Sequence, residues 1–323
     1  MSNKYSDFVF GLSDDDFILL QSAVSLRRNQ RKYGVTDFEE LAILYNRVPS
    51  CPQCGSRDNV SFGTTQQGKI RFRCNECGKH YNLISNTIFH STNKSFDTWC
   101  TYLVLMSFNV PLEMCEEICD ISHPTAMLWR KKVFATVNGY QDHLYLKDRV
   151  WIDETYVFDS SLLHDDDYKK KRGLSKDLIC IVVAIDIHKN TYACLCGHGK
   201  PSASRIYKAL KGHIVKGSTI VHDGEKAHNK LIERLELKSE VYKADKNSKE
   251  YLENMALINN MCSWLKRYIF RFIGMRMENL QSYLNWFVYL FRVKGNTDRW
   301  PKNDRILRHL ILSDVQYKRK HSK

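Results

Sequence analysis

Long apolar runs are missing from this sequence. Its longest apolar stretch, Leu178 to Ile185, is far shorter than the about 20 residues needed to cross a bilayer. The N-terminus has no apolar signal segment, and the chain contains neither an internal repeat nor a low-complexity tract. These absences argue against a membrane protein and predict that the chain stays in the cytosol.

The chain also lacks the even number of cysteines that a complete set of disulfides would need, because it contains 11. Four of them form two C-x-x-C pairs, which suits metal binding in a reducing compartment better than a disulfide framework. The other seven are predicted to be ordinary buried thiols: Cys100, Cys115, Cys119, Cys180, Cys194, Cys196 and Cys262.

Acidic residues are too few to balance the basic ones. The chain has 49 Lys and Arg against 36 Asp and Glu, a formal net charge of +13 and a pI near 9.1. This balance favours a polyanionic partner, although charge alone does not exclude a basic surface that is only solvated. With 323 residues, 43% of them hydrophobic, the chain has room for two or three domains.

The two cysteine pairs give the sharpest local signal. Nineteen residues separate the pairs, and a glycine follows each one, where a tight knuckle requires positive φ. Four thiolates complete a tetrahedral zinc site, so residues 49–84 are predicted to form a zinc ribbon with structural Zn²⁺. Four free cysteines at coincidental spacing are the alternative. The predicted ligands are Cys51, Cys54, Cys74 and Cys77.

Residues 1–48 carry helical patterning from Asp16 to Tyr45, and no specific role follows from it. Residues 95–138 show three helical patterns, at Ser95 to Ser107, Leu112 to Cys119 and His123 to Val137. The short link before the third is typical of a helix-turn-helix, although a plain helical linker explains the same pattern. The predicted phosphate contacts are Arg130, Lys131 and Lys132, and those to base edges are His123, Thr125 and Trp129.

Residues 149–295 have an order of elements that favours an α/β domain. Three strands are followed by helix, strand, helix, strand and helix, which is the order of a ribonuclease H-like mixed sheet flanked by helices. The predicted elements are strands at Val150 to Phe158, Leu178 to His188, Asn190 to Cys196, Ser218 to His222 and Glu240 to Ala244, and helices at Ser202 to His213, Ala227 to Leu235 and Glu250 to Phe272.

Two acidic residues end strands that lie side by side in such a fold. Asp153 is on the first strand and Asp223 follows the fourth, so they are expected to meet. The last helix is expected to bring Asn259 to the same place, and Lys266, seven residues later, faces the same way. Glu154 points to the opposite face of its strand, and Asp153 is chosen because it shares a face with Trp151. A solvated pair at a strand end is the alternative for both acids.

These four residues predict a site for metal-dependent phosphoryl transfer. Two Mg²⁺ or Mn²⁺ ions bound by Asp153, Asp223 and Asn259 can activate the attacking oxygen and stabilise the leaving one. Lys266 can neutralise a neighbouring phosphate. Because Asn259 brings no negative charge, the site is expected to bind metal more weakly or to depend on substrate phosphate oxygens, and an inactive remnant of a three-carboxylate enzyme is conceivable.

From about Val48 to Lys294 the chain resembles bacterial insertion-sequence transposases of the Asp-Asp-Glu/Asn type, in the group with a zinc ribbon and a catalytic set ending in Asn and Lys. The resemblance rests on the segments CPQCGS, RFRCNECGKHY, SNTIF, VWIDETYV, IVHDGEKAH and INNMCSWLKRYIFRFIGMRMENLQSYLNWF. It implies metal-dependent cleavage at terminal inverted repeats and strand transfer to target DNA. It also implies that the protein binds double-stranded DNA as at least a dimer and that it is cytoplasmic and associated with the nucleoid. The implied metal ligands are Asp153, Asp223 and Asn259, and Lys266 is the accompanying basic residue.

Two positions depart from the pattern, since many relatives have His where Cys262 stands and some have an acid where Trp286 stands; each could alter substrate contacts or mark a degraded copy. The main alternative is a non-catalytic DNA-binding regulator, either a zinc-ribbon transcription factor, against which the spacing of the acids argues, or a domesticated transposase, which Asn259 leaves open. A structure-specific nuclease of the same fold is a weaker alternative. Residues 296–323 end in QYKRKHSK and are expected to form a basic tail that adds nonspecific phosphate attraction, or simply a disordered solubilising tail.

Overall fold

The computed structural model describes residues 4–164, 169, 171–245, 247–272, 275–295, 302–315 and 317. They divide into two compact units, and each is built on its own sheet. The first unit lies within Met1–Phe108, Glu117–Ile121 and Trp300–Lys323, and the second within Asn109–Glu116 and Ser122–Arg299.

Helices and strands are numbered in chain order. The helices are α1 Lys4–Phe10, α2 Asp14–Tyr33, α3 Phe38–Leu44, α4 Phe96–Ser107, α5 Leu112–Cys119, α6 His123–Ala135, α7 Ala203–Leu210, α8 Asn229–Arg234, α9 Lys249–Asn254, α10 Ala256–Ile269, α11 Leu280–Gly295 and α12 Lys302–Leu312. The strands are β1 Asn59–Thr64, β2 Ile70–Cys74, β3 His80–Asn82, β4 Arg149–Phe158, β5 Leu178–Asp186, β6 Thr191–His198, β7 Thr219–His222 and β8 Lys238–Val241.

The first unit combines a small antiparallel sheet, ordered β1-β2-β3, with helices. Ser13 and Asp37 cap α2 and α3 by accepting hydrogen bonds from backbone N–H groups in their first turns. A buried aromatic group fixes α3 against α4, with the rings of Phe38 and Phe89 stacked at 4.1 Å and Trp99 edge-on to both. These contacts give the unit an apolar core of its own.

Helix α12 lies inside the segment that the sequence predicted to be only a basic tail. Its buried side chains pack on α3 and α4: Ile306, Leu307, Leu310 and Ile311. The terminal QYKRKHSK lies outside the described residues except for Tyr317. The tail prediction therefore missed an apolar helix that belongs to the first unit.

The second unit is built on a five-stranded mixed sheet in the order β6-β5-β4-β7-β8. Strand β4 pairs antiparallel with β5 and parallel with β7, and β8 adds parallel to β7. The first strand of the unit therefore lies at the centre, beside the fourth, as the sequence predicted.

Helices cover both faces of this sheet. On one face, α7 and α8 pack their apolar residues, including Ile206 and Leu231, over Val150 and Ile152 of β4. On the other face, α10 packs over β4 and β5, and α11 over β6. The Trp151 indole N–H donates to the carbonyl of Asn254 at 2.7 Å, which fixes the end of α9, just before α10, against β4.

The elements follow the predicted order, with differences at their ends. The hairpin between β5 and β6 turns at Lys189, which adopts φ 66°. The expected continuous helix from Glu250 to Phe272 is instead two helices, α9 and α10, that meet at Met255. The three helices of the predicted helix-turn-helix all form, but α4 belongs to the first unit and α6 to the second. Within the described residues, no helix has the length and apolarity to cross a bilayer.

Candidate functional site

The four cysteines of the two C-x-x-C pairs come together as predicted. The sulfur atoms of Cys51 and Cys77 lie 3.5 Å apart, as do those of Cys54 and Cys74. All four sulfurs lie within 4.8 Å of one another, which suits one tetrahedral ion. Gly55 and Gly78 adopt φ of 77° and 71° and donate back to the carbonyls of the first cysteine of each pair.

Both predicted acids lie at the same end of the central strand pair. Trp151 of β4 pairs with Val221 of β7, and Asp153 and Asp223 each follow two residues later. Because β4 and β7 run in the same direction, both residues lie at the same end of the sheet. The charge of Asp223 is one of the causes that raise the pKa of Asp153.

The Asp153 carboxylate is held in an environment that disfavours its charge. The pKa of Asp153 is raised to about 6, chiefly by burial and also by the carboxylates of Glu154 and Asp223, while the backbone N–H of Glu154 and the charge of His228 lower it. That N–H donates to Asp153 Oδ1 at 2.8 Å. A cation bound here would lower the free-energy cost of burying the Asp153 charge and would reduce the repulsion between the carboxylates.

Helix α10 brings the predicted Asn and Lys to the same face. The Cys262 thiol donates to Asp153 Oδ2 at 3.8 Å, so this stretch of α10 lies directly over the acid. Asn259 is three residues before Cys262 and half-buried, and Lys266 is four residues after it and exposed. Residues three and four apart share a helix face, so all three lie along the side that meets Asp153. Burial raises the pKa of the Cys262 thiol well above its usual range, as does the Asp153 charge, while Lys266 lowers it.

Glu154 points to the opposite face, as strand alternation predicted. Its Oε1 lies 2.9 Å from Nε2 of His228, and both side chains are buried. Nδ1 of His228 lies 2.9 Å from Nδ1 of His222, whose Nε2 is 3.0 Å from the Ser239 hydroxyl. The pKa of His222 is lowered to about 4, chiefly by burial and also by the neighbouring His228, while the charge of Asp223 raises it.

Sequence reasoning missed these two histidines. One is the last residue of β7, and the other ends a 3-10 turn at Lys226–His228. A nitrogen of each, together with a carboxylate oxygen of Asp223, forms a second group of donor atoms within 4.8 Å of one another. The signal available in the sequence was the spacing HD-x4-H across a predicted strand end.

Lys200 is another basic residue that the sequence did not single out. Its ammonium group lies 2.7 Å from Glu225 Oε2, and the Glu225 backbone N–H donates to Asp223 Oδ1 at 2.9 Å. The Glu225 hydrogen bond raises the pKa of Lys200, with smaller contributions from the charges of Glu154 and Asp223. A cation therefore stands close to the acidic end of β7.

The three consecutive basic residues on α6 differ in their exposure to solvent. Arg130 is buried, donates to the carbonyl of Val110 at 2.8 Å and lies over the Phe272 ring. Lys132 is half-buried, and burial lowers its pKa. Lys131 is exposed. Of the proposed base-contacting residues, Trp129 is buried, whereas His123 is exposed and pairs with Glu116.

Comparison with known proteins gives a family match within the second unit. Residues 145–292 match the family model of the ISXO2-like transposase domain. No curated protein matches the chain. One chain of the cryo-EM structure of the simian T-cell lymphotropic virus intasome in complex with PP2A regulatory subunit B56 gamma is similar over 69% of this chain and 80% of that chain. That likeness has 12% identity and a TM-score of 0.32, too distant to define a fold. The matched residues include the central strand pair with its two acids and all of α10, so the second unit is similar to the transposase domain of that family.

Proposed function

We propose that this protein is the transposase of an insertion sequence, which binds the terminal inverted repeats, cleaves there and joins the ends to target DNA. In this proposal the second unit is a ribonuclease H-like catalytic domain, and the zinc ribbon and a helix-turn-helix hold DNA in the cytoplasm. The sheet order β6-β5-β4-β7-β8 supports the fold assignment, because its central strand pair is parallel and carries both acids.

One observation carries the proposal. Asp153 and Asp223 each follow a residue of the paired positions Trp151 and Val221 by two places, and Cys262 of α10 contacts Asp153. Asn259 and Lys266 lie three and four residues from Cys262 on the same side of the helix. In this proposal, residues far apart in the chain would supply two carboxylates, an amide and an ammonium group to one site.

The donor atoms fit hard divalent cations. Carboxylate and amide oxygens are the ligands that Mg²⁺ and Mn²⁺ prefer, and the raised pKa of Asp153 reports a site short of positive charge. Asp153, Asp223 and Asn259 would hold the ions. When bound, two such ions activate the attacking oxygen and stabilise the leaving one.

The residues would then position two successive reactions. In the first, water attacks the phosphorus at the transposon end, a P–O bond breaks and a 3′-hydroxyl is freed. In the second, that hydroxyl attacks a target phosphodiester, so that one P–O bond forms as another breaks, and no further energy source is needed. Lys266, exposed at the edge of α10, would pair with a phosphate of the bound strand.

Binding to DNA would use the basic surface, and the net charge of +13 supports it. Lys131 is exposed and available for a phosphate contact, whereas Arg130 is buried and is left out of the proposed contact set. Since strand transfer joins two transposon ends, we propose at least a dimer on DNA.

Strand transfer by the full-length protein tests the proposal. Labelled terminal-repeat DNA is incubated with target plasmid and Mg²⁺ or Mn²⁺, and joined products are resolved on a gel. Asp153→Ala, Asp223→Ala and Asn259→Ala are each expected to lower the joining rate by about 10²-fold or more, with end binding retained, because catalysis here rests on metal positioning. Lys266→Ala is expected to have a smaller effect.

Neighbouring residues on α10 provide matched controls. Asn260→Ala and Arg267→Ala remove an asparagine and a basic residue at exposed positions one step further round the helix, and we expect near-normal joining. Specific binding of the ends without cleavage by the unaltered protein would instead support a non-catalytic DNA-binding regulator, the function that the uncharged Asn259 makes the strongest rival.

A further inference from the structure

Two buried histidines outside the proposed catalytic set face each other behind the end of β7. His222 ends the strand and His228 ends the following 3-10 turn, and both are almost fully buried. Their Nδ1 atoms lie 2.9 Å apart. Two ring nitrogens at this distance must share either a proton or a cation, since two bare lone pairs would repel each other.

The outer nitrogen of each ring is already fixed. His228 Nε2 lies 2.9 Å from the buried Glu154 carboxylate, and His222 Nε2 lies 3.0 Å from the Ser239 hydroxyl. Histidines that bind metals almost always have their second nitrogen held by such a partner, which sets the ring orientation. Both rings therefore present Nδ1 inward from a fixed position.

A carboxylate completes the group. An oxygen of Asp223 lies within 4.8 Å of a nitrogen of each histidine, and Asp223 is half-buried and so reachable from solvent. We propose that His222 Nδ1, His228 Nδ1 and the Asp223 carboxylate bind a transition-metal ion of the zinc class, at a site distinct from the cysteine cluster. Two imidazoles and one carboxylate select against Mg²⁺ and leave a fourth coordination position for water or a ligand.

The spacing of the nitrogens can be compared with that of the cysteine cluster. Tetrahedral Zn²⁺ with bonds of about 2.0–2.1 Å to nitrogen and about 2.3 Å to sulfur separates ligand atoms by about 3.3 Å and about 3.8 Å. The nitrogens here are 2.9 Å apart and the paired sulfurs 3.5 Å apart. Both groups are contracted by a few tenths of an ångström, so a small outward movement accommodates an ion in each.

The backbone N–H of Gly224 competes for the same nitrogen. It donates to His222 Nδ1 at 3.3 Å, a long hydrogen bond that a metal–nitrogen bond would replace. Asp223 also belongs to the proposed catalytic set, so an ion at this site would draw its carboxylate toward the histidines. Metal binding is measured without DNA, and the inference therefore stands or falls separately from strand transfer.

Counting bound zinc in the full-length protein tests this site. After dialysis against excess Zn²⁺ and removal of free metal, we expect two zinc ions per unaltered chain, one at the cysteines and one at the histidines. His222→Gln and His228→Gln are each expected to retain one. His198→Gln, at an exposed histidine of the same unit, is the matched control and should retain two.

Two further variants keep the test informative if the histidine variants fold poorly. Glu154→Gln leaves all three ligands in place but removes the negative charge that faces His228 Nε2, so the second ion should bind about 10- to 100-fold more weakly. Asp223→Asn removes one ligand with little change of shape and should also weaken the second ion. One zinc per unaltered chain, or unchanged affinity in both of these variants, would overturn the proposal and leave only a hydrogen-bonded histidine pair.

Discussion

At the scale of single residues, Asp153 shows how a functional group can oppose stability. Its pKa of about 6 in the folded protein exceeds the ordinary value of 3.8, so the folded state holds the proton more tightly than the unfolded state. Stability is therefore lost as the pH rises from about 4 to about 6, by about 3 kcal/mol for a shift of about two pKa units. Above that range the folded protein carries the full cost of the buried charge.

Replacing this charge should stabilise the metal-free protein. We expect Asp153→Asn to raise the free energy of unfolding of the second unit by about 3 kcal/mol at pH 7.5, and the gain should fade toward pH 4. Urea unfolding at both pH values, in the presence of a chelator of divalent cations, measures the difference. Asp142→Asn, at an exposed position, should change little. A loss of stability at both pH values would mean that the Asp153 carboxylate supports the fold.

Strand alternation alone separated Asp153 from Glu154, because neighbouring residues of a strand must face opposite ways. Asp153 contacts Cys262 and Glu154 contacts His228, on opposite faces as expected. The sequence did not indicate that His222 and His228 converge, since that depends on where the turn after β7 places its last residue. Contacts made by irregular backbone carry no periodic signal.

At the scale of elements, Arg47 connects α12 with the loop that follows β3. Its guanidinium donates to the carbonyls of Leu83 at 3.0 Å and Ile311 at 2.6 Å, and pairs with Asp314 at 2.6 Å. The side chain is only 1% exposed. This arrangement was not predicted from the sequence, because the apolar residues of α12 lie within a strongly basic segment, and such a segment is typical of a solvated tail.

Removing this buried cation should destabilise the first unit. We expect Arg47→Met to lower its free energy of unfolding by about 3 kcal/mol, because two buried carbonyls and Asp314 lose their partner. Arg57→Met is the matched control, since Arg57 also pairs with Asp314 but is 68% exposed, and its loss should cost less than about 1 kcal/mol. Equal losses measured by urea unfolding would contradict this difference.

At the scale of the whole molecule, the excess of basic over acidic residues is too large to belong to a single binding site. The formal net charge of +13 is spread along the chain, and only part of it lies on exposed helix surfaces that can reach a phosphate backbone. Lys131 and Arg130 are adjacent on α6 and illustrate the division, since one is exposed and the other is buried against Val110 and Phe272. The sequence pattern predicts a phosphate contact for both residues, whereas burial leaves only Lys131 able to make one.

This division predicts different responses to salt. If Lys131 contacts a phosphate, Lys131→Ala should reduce the slope of log affinity against log salt by about 0.9, the counterion release of one phosphate contact. Arg130→Gln should leave that slope unchanged and instead lower thermal stability, because its hydrogen bond to Val110 is lost. Fluorescence anisotropy on a terminal-repeat duplex at several salt concentrations measures both slopes. A reduced slope for Arg130→Gln with unaltered stability would show that this side chain leaves its buried position to meet DNA.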